Sequence, residues 1–503
     1  MLEITGVRLS ALSPSQHPVG LTISTGHNKP LVALAVRIVQ ARSNVLITIL
    51  TTSIMYHKIV KELSKIQSQG PSPESLSRIR IIDIASTTRD DISQPLVEFP
   101  NAFKCLVHSE DLTCVSSHTT YRYEGIGSPC VAVIDSFAGY AVDAIQAQAQ
   151  GVARIPIFLW RTSPAGSILR HNGPPEFGGR VTGDLEDAST QATIPGAPPM
   201  YEYEWAPQKT TVPANIAHAI WKEAQRVLLI TDGVLNVSCS AYEPEAIKAA
   251  RQWYDSMGKT WYTVGPLSLP PSDDPGRGQD KRSEEVEFLD RMYERCGERC
   301  VVYIAFGSVP WQTLPDKLWV VVDELIDHGV PFILARPSKM SHVPEDQKIK
   351  IRESGIGLEI GWADQEAILA HPATGWFISH GGWNSIQESF VHRVPCIFWP
   401  FHTDQPYNAA MISLKYEAGF ELLSVREEES GPPMRMREQS FTTEAVREEV
   451  RGLLVKMKGE EGRVVRRNAE SLALAVHDSW GSGQESTTNL ECFLEKFVDP
   501  VDS

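Results

Sequence analysis

This chain of 503 residues has no run of apolar residues long enough to cross a membrane as a helix. Such a helix needs about 20 consecutive apolar residues, so we expect no transmembrane segment. The first ten residues also lack the basic start and the apolar centre that are typical of a secretory signal. The sequence therefore predicts a cytoplasmic protein.

Cysteine is also scarce, with eight residues scattered along the chain. Only Cys296 and Cys300 lie close together, and there is neither a second pair nor a histidine cluster at the spacing of metal ligands. This pattern favours reduced thiols over a disulfide framework or a zinc site. We expect no bound metal and no cofactor.

Positive charge is in deficit, because 47 lysines and arginines face 62 aspartates and glutamates, for a formal net charge of -15. A field of this sign repels phosphate backbones and anionic lipid surfaces. We therefore do not expect nucleic acid as a partner. The chain is 42% hydrophobic and longer than a single core usually allows, so we expect two domains.

Short apolar segments alternate with stretches of helical period along the whole chain, which predicts an α/β fold with parallel sheets covered by helices. A segment rich in proline, glycine and charge at 270–283 separates two such series. Two doubly wound domains would face each other across a cleft and bind ligands beyond the carboxyl ends of their strands. The predicted strands are 7–12, 45–50, 79–84, 130–134, 155–159, 227–231, 301–306, 332–335, 375–378 and 394–400.

The segment 362–405 contains the pattern that points most directly to chemistry. A strand at 376–379 leads through His380-Gly381-Gly382 into a helix that begins near Asn384. This order aims backbone N–H groups and the positive end of a helix dipole beyond the strand, which favours phosphate. Ser385 and Glu388 share one face of that helix, where a hydroxyl could bind phosphate and a carboxylate could accept bonds from a ribose.

Trp362 can stack on a flat base, and Gln365 can pair with the edge of a base. The alternative interpretation is structural: the two glycines form a tight turn, Trp362 and Trp383 belong to the core, and His380 is an ordinary interior histidine. Packing alone does not require this polar set at these intervals.

The segment resembles the 44-residue donor-binding signature of the UDP-dependent glycosyltransferases that modify small molecules, a family best known from plants. It begins with Trp-Ala-x-Gln, contains His-x-Gly-Trp-Asn-Ser-x-x-Glu and ends with Asp-Gln. The resemblance implies two Rossmann-like domains facing across a cleft, the GT-B arrangement. It places Trp362 and Gln365 at uracil, Glu388 at the ribose, His380, Gly382, Asn384 and Ser385 at the diphosphate, and Trp383, Asp404 and Gln405 at the sugar. Ala363 is a further expected donor-binding residue.

A terminal glutamine in this signature usually accompanies glucose, so Gln405 favours UDP-glucose as the donor. Ser308, in Phe306-Gly307-Ser308, resembles the phosphate-side loop of the same family. Two positions depart from the signature: Asp364 replaces a proline, and Arg393 replaces a glycine.

Transfer to a hydroxyl group needs a base, and histidine is best matched to this task near neutral pH. His27 lies in Gly-His-x-x-Pro just before a predicted helix, as the general base of the family does. Asp135 follows a predicted strand and resembles the aspartate that orients this base, which we favour over the alternative of a helix N-cap. Between the first strand and His27 we expect an unusually long connection, residues 13–25, which contains a rival base, His17.

The resemblance also implies a domain organisation: an acceptor-binding domain at 1–266, a linker at 267–284, a UDP-sugar-binding domain at 285–484, and a helix at 485–503 that packs back on the first domain. The expected reaction transfers glucose from UDP-glucose to a small lipophilic alcohol or phenol, with inversion of configuration at the anomeric carbon. No Asp-x-Asp at a strand end suggests a metal. The rival hypotheses are a transferase with another UDP-sugar or a sterol or lipid acceptor, and a nucleotide-sugar-binding protein without catalysis.

Overall fold

The computed structural model describes residues 5–11, 19–23, 27–67, 71–85, 94–136, 138–148, 154–180, 191–209, 214–267, 283–307, 315–337, 342–427 and 440–499. Two sheets, one in each half of the chain, form the centre of the molecule, and helices cover both. The predicted α/β fold class is confirmed.

The first sheet has eight strands in the order β8-β7-β6-β5-β2-β1-β3-β4. All neighbours pair in parallel except β1, which runs antiparallel to the strands beside it. The strands are β1 (Thr5–Ala11), β2 (Val19–Ile23), β3 (Val45–Thr52), β4 (Ile79–Ala85), β5 (Val131–Asp135), β6 (Ile157–Arg161), β7 (Gly233–Asn236) and β8 (Thr260–Thr263).

Helices of this half follow the apolar period of the sequence. In α1 the residues Leu31, Leu34, Ala35 and Ile38 recur at helical spacing and are all at most 3% exposed, so one face of the helix is buried on the sheet. The helices are α1 (Asn28–Ala41), α2 (Ser53–Gln67), α3 (Pro73–Ser77), α4 (Gln94–Val107), α5 (Gly139–Gln148), α6 (Ala165–Asn172), α7 (Ala214–Ile230) and α8 (Pro244–Ser256).

The connection expected at residues 13–25 is wrong, because it contains strand β2. β1 and β2 form an antiparallel pair, and β2 is the strand that pairs in parallel with β5. His27 therefore follows β2 after only three residues. Strand β2 was not predicted because Pro14, Ser15 and Pro18 interrupt the apolar pattern just before it.

The strand predicted at 227–231 is also wrong, because residues up to Ile230 belong to helix α7. Val227 and Leu228 are buried whereas Leu229 is 62% exposed, as expected when an apolar run winds around a helix. A short apolar run fits a strand and a buried helix end equally well. The strand of this region is β7, which begins at Gly233.

The second sheet has six parallel strands in the order β11-β10-β9-β12-β13-β14. They are β9 (Val301–Ala305), β10 (Phe332–Ala335), β11 (Gly357–Ile360), β12 (Thr374–Ser379), β13 (Cys396–Phe398) and β14 (Gly419–Glu421). The helices are α9 (Glu284–Cys296), α10 (Pro315–Asp327), α11 (Glu345–Ser354), α12 (Gln365–Ala370), α13 (Trp383–His392), α14 (Gln405–Ala410), α15 (Thr443–Lys458), α16 (Glu460–His477) and α17 (Glu485–Phe497).

The last helix, α17, packs against strand β8 of the first sheet rather than against the second sheet. Its residues Phe493 and Leu494 are fully buried in the core that also contains Phe158. Within the ranges that the structure describes, no helix is long and apolar enough to cross a membrane.

Candidate active site

His27 and Asp135 lie at the carboxyl ends of two neighbouring parallel strands, β2 and β5, which bring them together across 108 positions of sequence. His27 Nδ1 is hydrogen-bonded to Asp135 Oδ2. The carboxylate is fully buried, whereas the imidazole remains 18% exposed. The Trp160 indole donates to the carbonyl of His27 at 3.3 Å and holds the backbone of this turn.

This pairing determines which ring nitrogen of His27 can act as a base. An ionised carboxylate only accepts hydrogen bonds, so Nδ1 must carry the proton of the neutral ring. Nε2 is then the basic nitrogen, and a proton taken up there is stabilised by the buried charge of Asp135. The structure therefore brings together the two residues that the sequence suggested as a catalytic pair.

In the second half, β12 ends at Ser379, and His380, Gly381 and Gly382 lead directly into α13. Gly381 has φ +85°, a backbone conformation that favours glycine. A Cβ on Gly382 would lie 2.5 Å from His380 Nε2, and one on Gly307 would lie 3.0 Å from it. The glycines are therefore needed to seat the histidine ring at the start of the helix.

Burial lowers the pKa of His380 to about 4, and the nearby His402 adds to this effect. His380 is therefore neutral near pH 7. Its buried Nδ1 has no hydrogen-bond partner among the described residues. A polar atom in this state can bond to a ligand beside the helix terminus at little further desolvation cost.

Gln365, Ser385 and Glu388 meet beside α13. Gln365 Nε2 lies 3.2 Å from Ser385 Oγ and 2.5 Å from Glu388 Oε2. Tyr303 donates its hydroxyl hydrogen to Gln365 Oε1 at 3.2 Å. The three residues predicted to contact the nucleoside and the phosphate thus form one polar cluster, in which the Gln365 amide bonds to its neighbours.

Asp404 binds the start of α13 from the loop that precedes α14. Its Oδ2 accepts from the backbone N–H of Trp383 at 2.9 Å and from Asn408 Nδ2 at 3.1 Å. Burial raises the pKa of Asp404, and these hydrogen bonds oppose that rise. The carboxylate orients the first turn of the helix that carries the rest of the site.

Gln405 is 5% exposed, and its side-chain oxygen is engaged by its own loop. Oε1 accepts from the backbone N–H groups of Phe401 and His402 at 2.8 and 3.2 Å. This arrangement orients the Nε2 amide group as the donor end of the side chain.

Trp383 is 2% exposed, and its side chain lies in the packed contact between the two halves. The indole donates to the carbonyl of Val237, and the ring lies 4.6 Å from that of Tyr242. Trp362, in contrast, is 61% exposed, with Lys61 Nζ 4.8 Å from its ring centroid. Ala363 beside it is 9% exposed.

Asn384 and Ser308 are the remaining residues that were predicted to bind the donor. Asn384 Oδ1 accepts a long hydrogen bond of 3.4 Å from Gln387 in the first turn of α13. Ser308 lies outside the described residues. Within the described part of the chain, no group of three or more His, Cys, Asp or Glu side chains is arranged to bind a metal ion.

Sequence reasoning missed one set of residues at this site, three lysines of the first half that contact the segment 362–366 and Glu388. Lys29 and Lys65 form ion pairs there, and Lys61 covers Trp362. Lys61 and Lys65 are four residues apart and therefore share a helix face. That spacing was the only signal available in the sequence, and it does not reveal which acidic partners lie opposite.

Comparisons with known proteins bear on the family and the fold of this chain. A family model described as UDP-glucoronosyl and UDP-glucosyl transferase matches residues 277–427. UDP-glycosyltransferase eriJ from Hericium erinaceus is 30% identical over 321 residues, which cover 60% of this chain and 62% of that protein. UDP-glycosyltransferase 71B5 from Arabidopsis thaliana is 24% identical over 500 residues, which cover 95% of this chain and 97% of the relative. The matches to the Hericium protein and to three plant relatives span only 54% to 62% of those proteins' lengths.

Among solved structures, UGT2 from Phytolacca americana, in complex with UDP-2fluoro-glucose and pterostilbene, superposes with a TM-score of 0.68. It is 19% identical, and the match covers 95% of this chain and 98% of that one. Similarity at this level of identity establishes the fold. The fold is therefore the predicted GT-B arrangement of two Rossmann-like domains.

Proposed function

We propose that this chain is a UDP-dependent glycosyltransferase that acts on small molecules, and that it transfers glucose from UDP-glucose to a hydroxyl group of a small lipophilic acceptor. The observation that carries this proposal is the His27–Asp135 pair at the end of one sheet, together with the His380–Glu388 segment at the end of the other. One side supplies a base and the other a nucleotide-binding helix terminus.

His27 acts as the general base. Its Nε2 removes the proton of the acceptor hydroxyl while that oxygen forms a bond to the anomeric carbon of glucose, and the bond from this carbon to the diphosphate oxygen breaks. Attack from the face opposite UDP inverts the configuration, so an α-linked donor gives a β-glucoside. Asp135 stabilises the imidazolium and keeps the ring oriented.

The leaving diphosphate develops negative charge at the start of α13. The N–H groups of Gly382 to Ser385 and the positive end of the helix dipole can stabilise that charge, as can the neutral ring of His380. These groups require no metal ion. Glu388 is proposed to hold the ribose hydroxyls, and Trp362 and Gln365 are proposed to contact the uracil.

Glucose is proposed to bind between the two sheets, near Asp404 and Gln405. The Gln405 amide is oriented so that Nε2 can donate to a sugar hydroxyl. Trp383 contributes its backbone and its packing rather than its ring. A cytoplasmic location and the identity of the acceptor stay predictions.

The test is UDP release from UDP-glucose in the presence of phenolic, sterol and terpenoid alcohols, with UDP binding measured by calorimetry on the same samples. We expect His27→Ala to lower acceptor-dependent turnover by about 10²- to 10⁴-fold and Asp135→Asn to lower it by a similar factor. UDP affinity should stay within about twofold in both variants, because neither residue contacts the predicted nucleotide site.

His17→Ala is the matched control, because His17 is the rival base in the sequence, and it should retain activity. Turnover that survives in His27→Ala but is lost in His17→Ala would refute the assignment. UDP binding without release for any acceptor would favour a protein that binds nucleotide sugars without catalysis. Absence of UDP binding would refute the donor site itself.

A further inference from the structure

Lys29, from the first half of the chain, reaches across the cleft to two carboxylates beside the proposed donor site. Its Nζ lies 2.7 Å from Glu366 Oε1 and 2.8 Å from Glu388 Oε1. Lys29 is 20% exposed and Glu388 is 13% exposed, so the pair is largely shielded from water. Ion pairs of this kind are less screened than surface pairs, and an unpaired partner left behind is costly.

A second contact lies next to the first and strengthens it. Lys65 Nζ is 3.2 Å from Asp364 Oδ2 and 3.8 Å from Glu366 Oε2. Asp364 is the residue that replaces the proline of the family signature. The two lysines and three carboxylates thus connect the halves at the nucleoside end of the cleft.

Lys29 is charged in this environment. Burial lowers the pKa of Lys29, but the carboxylates of Glu388, Glu366 and Glu62 raise it by more, so the net shift is upward. Of the other neighbours, Lys65 and Asp364 are paired with each other, and His392 is neutral because burial lowers its pKa to about 4.

The geometry at Glu388 explains what this charge can do. One carboxylate oxygen accepts from Lys29, and the other accepts from Gln365 Nε2. Each oxygen of a carboxylate has two lone-pair sites, so both can still accept from a ribose hydroxyl. Lys29 and Gln365 together therefore hold the carboxylate in one orientation without saturating it.

The position of Lys29 in the chain adds a second consequence. It lies two residues after His27, in the first turn of α1. The ion pair consequently links the backbone that carries the proposed base to the residue proposed to hold the ribose. Small displacements between reacting groups are expensive in rate, so such a link would bear on catalysis as well as on binding.

We propose that Lys29 is a positioning residue for the donor: it orients Glu388 for the ribose diol and joins the His27 turn to the nucleotide half of the site. This inference rests on the proposed function. If Lys29 instead occupied space that the ribose needs, it would oppose donor binding. The two effects predict opposite signs for a Lys29 variant.

The experiment is calorimetric titration of the full chain with UDP and with 2′-deoxy-UDP. Lys29→Met should weaken UDP binding about tenfold, and Lys29→Arg should restore it to within about threefold of wild type. For 2′-deoxy-UDP the loss in Lys29→Met should shrink to about threefold or less, because the diol that Glu388 holds is already incomplete.

Lys415→Met is the matched control. Lys415 Nζ lies 3.0 Å from Glu245 Oε2, so it also joins the two halves, but it contacts none of the proposed site residues. Its UDP affinity should stay within about twofold of wild type. Thermal unfolding verifies the fold of each variant, and if Lys29→Met is unfolded, Lys29→Gln replaces it with the same expected loss.

Each outcome decides the inference. Tighter UDP binding by Lys29→Met, unchanged binding, or equal losses for UDP and 2′-deoxy-UDP would each overturn it. If the wild type itself fails to bind UDP, the proposed function fails as well, which distinguishes that result from a failure of the Lys29 role alone.

Discussion

At the scale of single residues, the same side-chain types have different uses in the two halves of the cleft. His27 is paired with a buried carboxylate, which suits a group that must gain a proton. His380 is neutral because burial lowers its pKa to about 4, which suits a group that meets phosphate through a hydrogen bond. Environment rather than residue type separates the two proposed functions.

Gln405 allows a prediction about the sugar. Gln405→Glu keeps an acceptor oxygen for the backbone N–H groups of Phe401 and His402 but removes the amide donor proposed to contact glucose. We expect kcat/KM for UDP-glucose to fall about tenfold or more, as for the loss of one well-placed hydrogen bond, while UDP affinity stays within about twofold. An equal loss of affinity for UDP would indicate a disturbed loop rather than a lost sugar contact.

At the scale of elements, helix α13 carries most of the proposed donor site at its start and a strained residue at its end. Arg393 follows the last turn with φ 55° and ψ 36°, the left-handed conformation that glycine usually supplies there. The backbone N–H of Arg393 bonds to the carbonyl of Phe390, and that of Val394 bonds to the carbonyl of Ser389. Arg393, which departs from the family signature, thus keeps the hydrogen bonds that end the helix, but its own backbone is strained.

Arg393→Gly should stabilise the protein by about 0.5–1 kcal/mol, because glycine adopts this conformation without a Cβ clash and the gain exceeds its extra freedom in the unfolded chain. The measurement is the midpoint of thermal unfolding. Arg291→Gly is the control, since Arg291 is exposed in the middle of α9 and the same change there should destabilise by about 1 kcal/mol. A lower midpoint for Arg393→Gly would mean that its side chain contributes more than the strain costs.

At the scale of the whole molecule, the last helix, α17, packs into the core of the N-terminal half and stabilises it. Phe493 of α17 is fully buried, and its ring packs edge-to-face on Phe158 at 5.2 Å and on Tyr262 at 5.6 Å. Glu485 at the start of the same helix accepts hydrogen bonds from the backbone N–H and the hydroxyl of Ser240. The second half is therefore joined to the first at its N-terminal end by the continuous chain and at its C-terminal end by α17.

Phe493→Ala should destabilise the protein by about 3–5 kcal/mol through the cavity it leaves, seen as a lower midpoint of thermal unfolding. UDP affinity, measured below that midpoint, should stay within about twofold, because the proposed nucleotide site lies on the other sheet. Cys492→Ala, at the exposed neighbouring position, should change stability by less than about 0.5 kcal/mol. A large loss of UDP affinity in Phe493→Ala would show that α17 also controls the cleft.

Local patterns determined the α/β class, the presence of a helix after His27, the glycine turn before α13 and the candidates His27, Asp135 and Glu388. These features were readable because strand and helix periods, turn residues and motif spacing act over a few residues of sequence. The boundary errors at 13–25 and 227–231 arose where the local signal was ambiguous, at a proline-interrupted strand pair and at the apolar end of a helix.

Only the tertiary structure decided which residues meet. It paired His27 with Asp135 through the order of β2 and β5, placed the Trp383 ring in the packed contact between the halves, and set Lys29 against Glu388 from 359 positions away. None of these contacts follows from local sequence. The first depends on the order of the strands within one sheet, and the other two depend on how the two halves face each other. The strength of an ion pair such as Lys29–Glu388 likewise depends on exclusion of water, which exists only once the halves are packed together.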